Sequence, residues 1–169
     1  MPHKKIYRDF LKHAEDLLPS GSGRPESVAL RRCISTSYYA VWHCLCYSWS
    51  SKFNASLQDM IYRQPNHGRA KTAAIQMRSQ KNTWAKKSCC DEISVMCGDF
   101  ITLQSMRHEA DYDIGRSFKK REAEEALYRA KRCIELFDES LAAPKDSDIS
   151  AQLDCFLLES LNLKHQDRK

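Results

Sequence analysis

The residues of this chain that are best suited to chemistry are one arginine and three histidines. Arg107 and His108 are adjacent, whereas His43 and His67 lie far from them in the sequence. A histidine can take a proton from a hydroxyl group near neutral pH or return one to a leaving oxygen. An arginine is always charged and stabilises a phosphate as negative charge builds in the transition state.

These residue types suit cleavage of RNA without a metal ion, with the ribose 2′-hydroxyl as internal nucleophile. We expect Arg107 and His108 to be the catalytic residues, with His43 or His67 as a partner from elsewhere in the chain. A structural interpretation is also open. Asp111 follows Arg107 by one helical turn and Asp113 lies near the same helix end, so an ion pair could instead stabilise that end. The two aspartates are expected to diverge, and we expect no metal site there.

A positively charged segment is the second feature with functional content. No acidic residue occurs from Met60 to Cys90, although the net charge of the whole chain is only +5. Such a segment attracts phosphates, and aromatic rings among the cations suit stacking on unpaired bases. A solvated loop without a partner would have the same composition. The candidate nucleic-acid-binding residues are Arg63, His67, Arg69, Lys71, Arg78, Lys81, Trp84, Lys86 and Lys87.

The elements that position these residues are predicted to be helices. Apolar residues recur every three or four positions, no segment alternates with a period of two, and Gly and Pro number only five each. We predict an all-α, up-and-down bundle of four to five helices. The long helices are expected at 5–18, from Pro25 for about seven turns, at 91–112 and at 118–142. Shorter helices are expected at 56–63 and 67–77, followed by an exposed loop at 78–88.

The domain organisation is predicted to be one bundle over residues 1–143. Residues 144–169 would add an amphipathic segment at 149–163 and a charged tail, which either packs on the bundle or serves a partner. The second helix also carries a polar face with Arg32, Tyr39 and His43. Together with Asp111 and Tyr112 these residues are expected to form a polar pocket facing Arg107, or alternatively a hydrogen-bonded layer that sets the register of the bundle.

Several classes of protein are disfavoured by composition. The eight cysteines contain no C-x-x-C pair, so we expect structural thiols and neither a metal site nor another cofactor. No run of 18 or more apolar residues is present, which argues against a membrane span. The N-terminus has no apolar stretch behind its basic residues, and the expected location is therefore the cytoplasm.

Two stretches of the chain resemble the HEPN family. The sequence LRRCISTSYYAVWH, from Leu30 to His43, is similar to the second-helix signature of HEPN domains, with an arginine, small residues, a Tyr-Tyr pair, an aromatic residue and a histidine. The sequence LQSMRHEADYD, from Leu103 to Asp113, resembles the later helix, in which an arginine precedes Ala-Asp-Tyr-Asp. The resemblance covers roughly residues 5–142.

The resemblance implies a bundle of four or five helices that is often homodimeric. Many members act on RNA, some as metal-independent ribonucleases in toxin–antitoxin, phage-defence or RNA-processing systems. Others are non-catalytic and bind nucleotides, RNA or a nucleotidyltransferase partner. In the ribonucleases a histidine lies four to six residues beyond the arginine. Here Arg107 and His108 match the start of that motif, and Tyr112 stands where the histidine is expected, so the ribonuclease and the interaction module both remain open.

Overall fold

The computed structural model describes residues 6–18, 26–79, 91–144 and 147–161. Within these ranges it has seven helices and no strand, which confirms the all-α prediction. The helices are α1 (Ile6–Asp16), α2 (Ser27–Ser50), α3 (Ala55–Tyr62), α4 (His67–Ser79), α5 (Asp91–Tyr112), α6 (Lys120–Ala142) and α7 (Asp148–Leu161). The loop predicted at 78–88 is wrong at its start, because Arg78 and Ser79 continue α4. Residues 80–88 lie outside the described ranges.

Helix α2 is the centre of the bundle, and it packs against α1, α5 and α6. Its apolar residues are covered on nearly all sides, and several of its buried side chains are small, including Ser37, Ala40 and Cys44. A helix that is buried all round must accept neighbours on every face, and small side chains allow their close approach. Its outer edge carries Tyr39 and His43, which are only partly buried.

Helix α6 is amphipathic, and its predicted stripe faces the core through Ala123, Ala130, Ile134 and Phe137. The predicted start at residue 118 is two residues early, because the helix begins at Lys120. The cap comes from Glu122, whose Oε2 accepts the backbone N–H of Lys119 at 2.8 Å. A carboxylate satisfies this otherwise unpaired donor and also favours the positive end of the helix dipole.

An ion-pair cluster joins α5 to α6. The side chain of Asp99 is only 2% exposed. Its Oδ1 lies 2.5 Å from Nη1 of Arg129, and its Oδ2 accepts a 2.7 Å hydrogen bond from Nε of Arg132. Arg129 also pairs with Glu125, which lies one helical turn earlier. A buried carboxylate needs such partners, because its desolvation would otherwise cost several kcal/mol.

Helix α7 packs mainly against α4. Leu153, Phe156 and Leu157 are buried in the same apolar core as α2 and α5. The ring of Phe156 meets that of Phe100 edge to face, with centroids 6.2 Å apart. Of the two roles considered for this segment, packing on the bundle is the one observed for residues 148–161.

The described cysteines are free thiols. Cys33, Cys44, Cys46, Cys97 and Cys133 are buried, and Cys155 is partly buried. Burial raises the pKa of Cys33 to about 11 and that of Cys46 to about 12, which makes both poor nucleophiles at neutral pH. Over the residues that the structure describes, no group of His, Cys, Asp and Glu side chains is arranged to hold a metal ion. In the same ranges no helix is both long and apolar enough to cross a bilayer.

Candidate functional site around Arg107

Arg107 projects from α5 onto the tyrosine-bearing edge of α2. Its Nη2 donates a 2.6 Å hydrogen bond to Oη of Tyr39. The guanidinium carbon lies 5.3 Å from the ring centroid of Tyr39 and 5.2 Å from that of Tyr112. Contacts of this kind hold a cation in place through the negative face of an aromatic ring. The predicted approach of Arg107 to the second helix is therefore present.

Asp111 is the acidic neighbour of this arginine. Its Oδ2 lies 2.7 Å from Nε of Arg107, and both side chains are about one-fifth exposed (21% and 22%). The Nε–H is not aligned for a hydrogen bond, so the pair is held by charge. Oδ1 of Asp111 accepts a 2.8 Å hydrogen bond from Oγ of Ser35. The structural interpretation of the sequence is thus correct for Asp111. Asp113 instead accepts the backbone N–H of Gly115.

These contacts affect the pKa of Arg107. Partial burial works to lower the pKa of Arg107, but the hydrogen bond to Tyr39 and the carboxylate of Asp111 outweigh it, and the pKa is raised. The guanidinium therefore keeps its charge while it is partly removed from water. A partly desolvated cation attracts a phosphate more strongly than one surrounded by solvent.

His67 and His43 each contact a tyrosine hydroxyl. Nδ1 of His67 lies 2.6 Å from Oη of Tyr38, and Nδ1 of His43 lies 2.7 Å from Oη of Tyr62. The ring of His67 also stacks on Trp42, with centroids 3.7 Å apart. Partial burial, followed by the positive charges of Arg107 and His43, lowers the pKa of His67 below its usual 6.5. His67 is consequently neutral at pH 7.

His108 shares a cavity with Arg107. The cavity has a volume of about 380 Å³ and is lined by Lys71, Gln104, Ser105, Arg107, His108 and Glu109. His108 is exposed, and its ring centroid lies 5.0 Å from that of Tyr112. The two residues predicted to be catalytic therefore open onto one surface depression, and Lys71 contributes a cation from α4.

A second cavity of about 420 Å³ is lined by Val28, Arg31, Arg32, Ser35, Tyr39, Ala110, Asp111 and Tyr112. Four of the five residues predicted for the polar pocket line this cavity. The fifth, His43, does not, and its ring stacks against Phe10 with centroids 4.8 Å apart.

Arg31 is a residue of this cavity that the sequence analysis missed. Its Nη1 donates to the carbonyl of Ala110 at 2.8 Å, and its Nη2 donates to that of Asp113 at 2.9 Å. The carbonyl of Ala110 belongs to the last turn of α5, and that of Asp113 follows directly after the helix, so Arg31 fixes the segment that carries Asp111 and Tyr112. Its neighbour Arg32 is exposed. No local signal distinguishes the two adjacent arginines, because their roles depend on which one faces α5.

The basic segment lies along α4 and the turn before it. Arg63, Arg69 and Arg78 are exposed, and Lys71 is partly buried. The guanidinium of Arg78 lies against Gly98 of α5, where a β-carbon would come within 3.4 Å of its Cζ. The remaining candidates, Lys81, Trp84, Lys86 and Lys87, lie outside the described residues.

No family model matches the chain, and neither curated proteins nor solved structures show significant similarity to it. The resemblance to HEPN domains therefore stays a prediction that rests on the two motifs around His43 and Arg107.

Proposed function

We propose that this chain is an HEPN-like RNA-binding domain in which Arg107 binds a phosphate of the RNA, and that the same centre cleaves the strand without a metal ion. The observation that carries the proposal is the position of Arg107. Tyr39 holds its guanidinium, which opens onto the same cavity as Lys71 and His108. Two cations and an imidazole around one depression suit a phosphodiester.

The reaction is an internal transfer at phosphorus. The ribose 2′-oxygen attacks the adjacent phosphorus and forms a P–O2′ bond, while the P–O5′ bond breaks. The products are a 2′,3′-cyclic phosphate and a 5′-hydroxyl. Negative charge grows on the phosphoryl oxygens in the transition state, and Arg107 stabilises that charge. A histidine supplies the proton transfer.

Four cations of the basic segment, Arg63, Arg69, Lys71 and Arg78, support RNA binding by their charge. Lys71 also lines the cavity of Arg107, so the segment reaches the site. Tyr112 is 62% exposed beside the guanidinium, and its ring offers a surface on which an unpaired base can stack.

The enzymatic part is tested by incubating the full chain with tRNA or total RNA in EDTA. Arg107→Ala is expected to lower the cleavage rate at least about 100-fold, because one oxyanion-stabilising donor typically contributes that much. His108→Ala is run beside it, and Arg8→Ala is the matched control. Arg8 also pairs with an aspartate, Asp138, but lies on α1. Intact RNA in the wild-type reaction, or equal cleavage by Arg107→Ala, contradicts the proposal.

RNA binding is tested by its salt dependence with a single-stranded oligonucleotide. If the four cations of the basic segment each contact a phosphate, affinity falls about 50-fold between 50 and 200 mM salt. An affinity that is independent of salt over this range excludes phosphate contacts by that segment.

A second candidate function is a non-catalytic interaction module. The observation that favours it is an apolar surface at the end of α5. Val28, Tyr112 and Ile114 are exposed there, Ile114 by 92%. The partners implied by the HEPN resemblance are a second copy of the chain, an antitoxin or a nucleotidyltransferase. Sedimentation of the wild type and of Ile114→Ser tests self-association. A concentration-dependent dimer that the substitution weakens, together with intact RNA, favours this function.

A further inference from the structure

We infer that His67, and not His108, exchanges the proton with the ribose 2′-hydroxyl in this reaction, and that Tyr38 is a positioning residue that sets the tautomer of His67. This inference deepens the proposed ribonuclease function and rests on it. It also departs from the Arg-His pair that the sequence offers, because His67 lies 40 residues before Arg107.

His67 is held from three sides and is still accessible. It is the first residue of α4, and its ring stacks on Trp42 of α2 at 3.7 Å. Nε2 of Gln104, on α5, donates a 2.9 Å hydrogen bond to the carbonyl of His67. Taken as a whole residue, His67 is nevertheless exposed to solvent. A general base needs this combination, since its ring must be fixed in direction and must also reach the substrate.

The contact with Tyr38 decides which ring nitrogen is free. If Nδ1 of His67 carries the proton, it donates to Oη of Tyr38 across the 2.6 Å contact, and Nε2 is left as the base. In that tautomer Nε2 is the ring nitrogen that can accept the proton of the 2′-hydroxyl. The phenol of Tyr38 is itself buried, and the side chain of Gln104 lies beside its hydroxyl.

Tyr39 connects the base to the arginine. Its ring centroid lies 6.4 Å from that of His67, and its hydroxyl lies 2.6 Å from Nη2 of Arg107. The imidazole and the guanidinium therefore flank one phenol side chain.

The charged and titratable groups around His67 favour its neutral form. They are Tyr38, Tyr39 and His43 from α2 and Arg107 from α5, and the positive charges of Arg107 and His43 both oppose protonation. His67 is therefore neutral at pH 7 and can accept a proton. His108 differs in its surroundings, because it is exposed on the outer side of α5 beside Tyr112.

The proton transfers balance. Nε2 of His67 takes the proton of the 2′-hydroxyl as the 2′-oxygen attacks phosphorus. The P–O5′ bond breaks, and the departing 5′-oxygen takes a proton from water. His67 then releases its proton to the solvent hydroxide and returns to the neutral form.

The test uses the full chain in EDTA with a 5′-labelled single-stranded RNA and a DNA of the same sequence. His67→Gln is expected to lower the cleavage rate about 100-fold or more while RNA affinity stays within about threefold. His13→Gln, which replaces an exposed histidine on α1, is the matched control and should keep the rate within about threefold. His108→Gln is assayed beside it and should lose less activity than His67→Gln. The wild type should yield a 2′,3′-cyclic phosphate, detected by mass spectrometry, and should leave the DNA intact.

A pH profile separates catalysis from structure. The wild-type rate should rise with pH on an acidic limb centred below pH 6.5, and this limb should be absent from His67→Gln. Tyr38→Phe keeps the ring but loses the hydroxyl, and it should lower the rate about tenfold without changing RNA affinity. Equal rates for the wild type and His67→Gln, or loss of activity in His108→Gln alone, overturn the inference. A wild type that cleaves no RNA overturns the ribonuclease proposal itself and the inference with it.

Discussion

Oδ2 of Asp111 lies 2.7 Å from Nε of Arg107, so a carboxylate occupies one side of the cation that we propose to bind phosphate. Asp111 and an incoming phosphate both carry negative charge and compete for the same guanidinium. We expect Asp111→Asn to tighten RNA binding about fivefold, because a partly exposed ion pair is worth up to about 1 kcal/mol. The amide oxygen can still accept the hydrogen bond from Ser35.

Fluorescence anisotropy with a labelled RNA oligonucleotide measures this effect. Glu139→Gln is the matched control, since it changes the net charge by the same amount. Glu139 lies beside Asp91. Asp91 is the first residue of α5 and lies about 24 Å from Arg107 along that helix, at 1.5 Å per residue. Equal gains from both substitutions would mean that only net charge matters, and no gain from Asp111→Asn would mean that Asp111 does not compete with phosphate.

The cluster around Asp99 gives a prediction for stability. Asp99→Ala removes the buried carboxylate and leaves Arg129 and Arg132 without their shared partner. Breaking a buried ion pair costs about 3–5 kcal/mol, and the partial exposure of both arginines places the expected loss near 3 kcal/mol. Urea unfolding followed by circular dichroism measures it. Asp16→Ala, which removes a solvent-exposed pair with Lys12 on α1, should cost far less. Similar losses in the two variants would contradict the structural role of Asp99.

The lowered pKa of His67 predicts a pH dependence of stability. The unfolded chain protonates this histidine near its usual 6.5, whereas the folded protein resists protonation. As the pH falls below about 6.5, the unfolded state binds the additional proton, so the folded state loses stability. The urea midpoint of the wild type should therefore fall more between pH 7.5 and 5.5 than that of His67→Gln.

The control for this measurement is His13→Gln, which replaces an exposed histidine on α1. It should follow the wild type at both pH values. If His67→Gln also follows the wild type, then His67 titrates alike in the folded and unfolded states.

Phe156 tests whether α7 belongs to the fold. Its side chain is fully buried against Phe100, so Phe156→Ala should lower the free energy of unfolding by about 3–5 kcal/mol. Leu158→Ala, at a half-exposed position of the same helix, should cost far less. Chemical denaturation should show one cooperative transition for both variants. An unchanged stability in Phe156→Ala would mean that residues 148–161 unfold independently of the bundle.

The helices were predictable because each long one buries a stripe that repeats every three or four residues. The stripe of α6, from Ala123 to Phe137, has this form. Boundaries were less predictable. The start of α6 shifted because Glu122 caps Lys119, and α4 continued to Ser79 through a basic and polar stretch with no apolar signal.

The site was only partly predictable. Arg107 stood out because it lies four residues after Leu103, on the inner side of α5, and Tyr39 stood out on the polar edge of α2. The cluster around Asp99 was missed, although Arg129 and Arg132 share one face of α6. An aspartate within an apolar stripe gives no sign of its partner when that partner lies 30 residues away.

Sequence alone determined that the chain forms amphipathic helices, that the segment after Met60 is basic, and that Arg107 lies close to the core. These properties are local, since they follow from spacing along one helix or from composition. The tertiary structure decided that His67 stacks on Trp42 and contacts Tyr38, that Arg107 binds the hydroxyl of Tyr39, and that the ring of His43 stacks on Phe10. Such contacts join separate helices, and their geometry depends on how each helix is rotated against its neighbours.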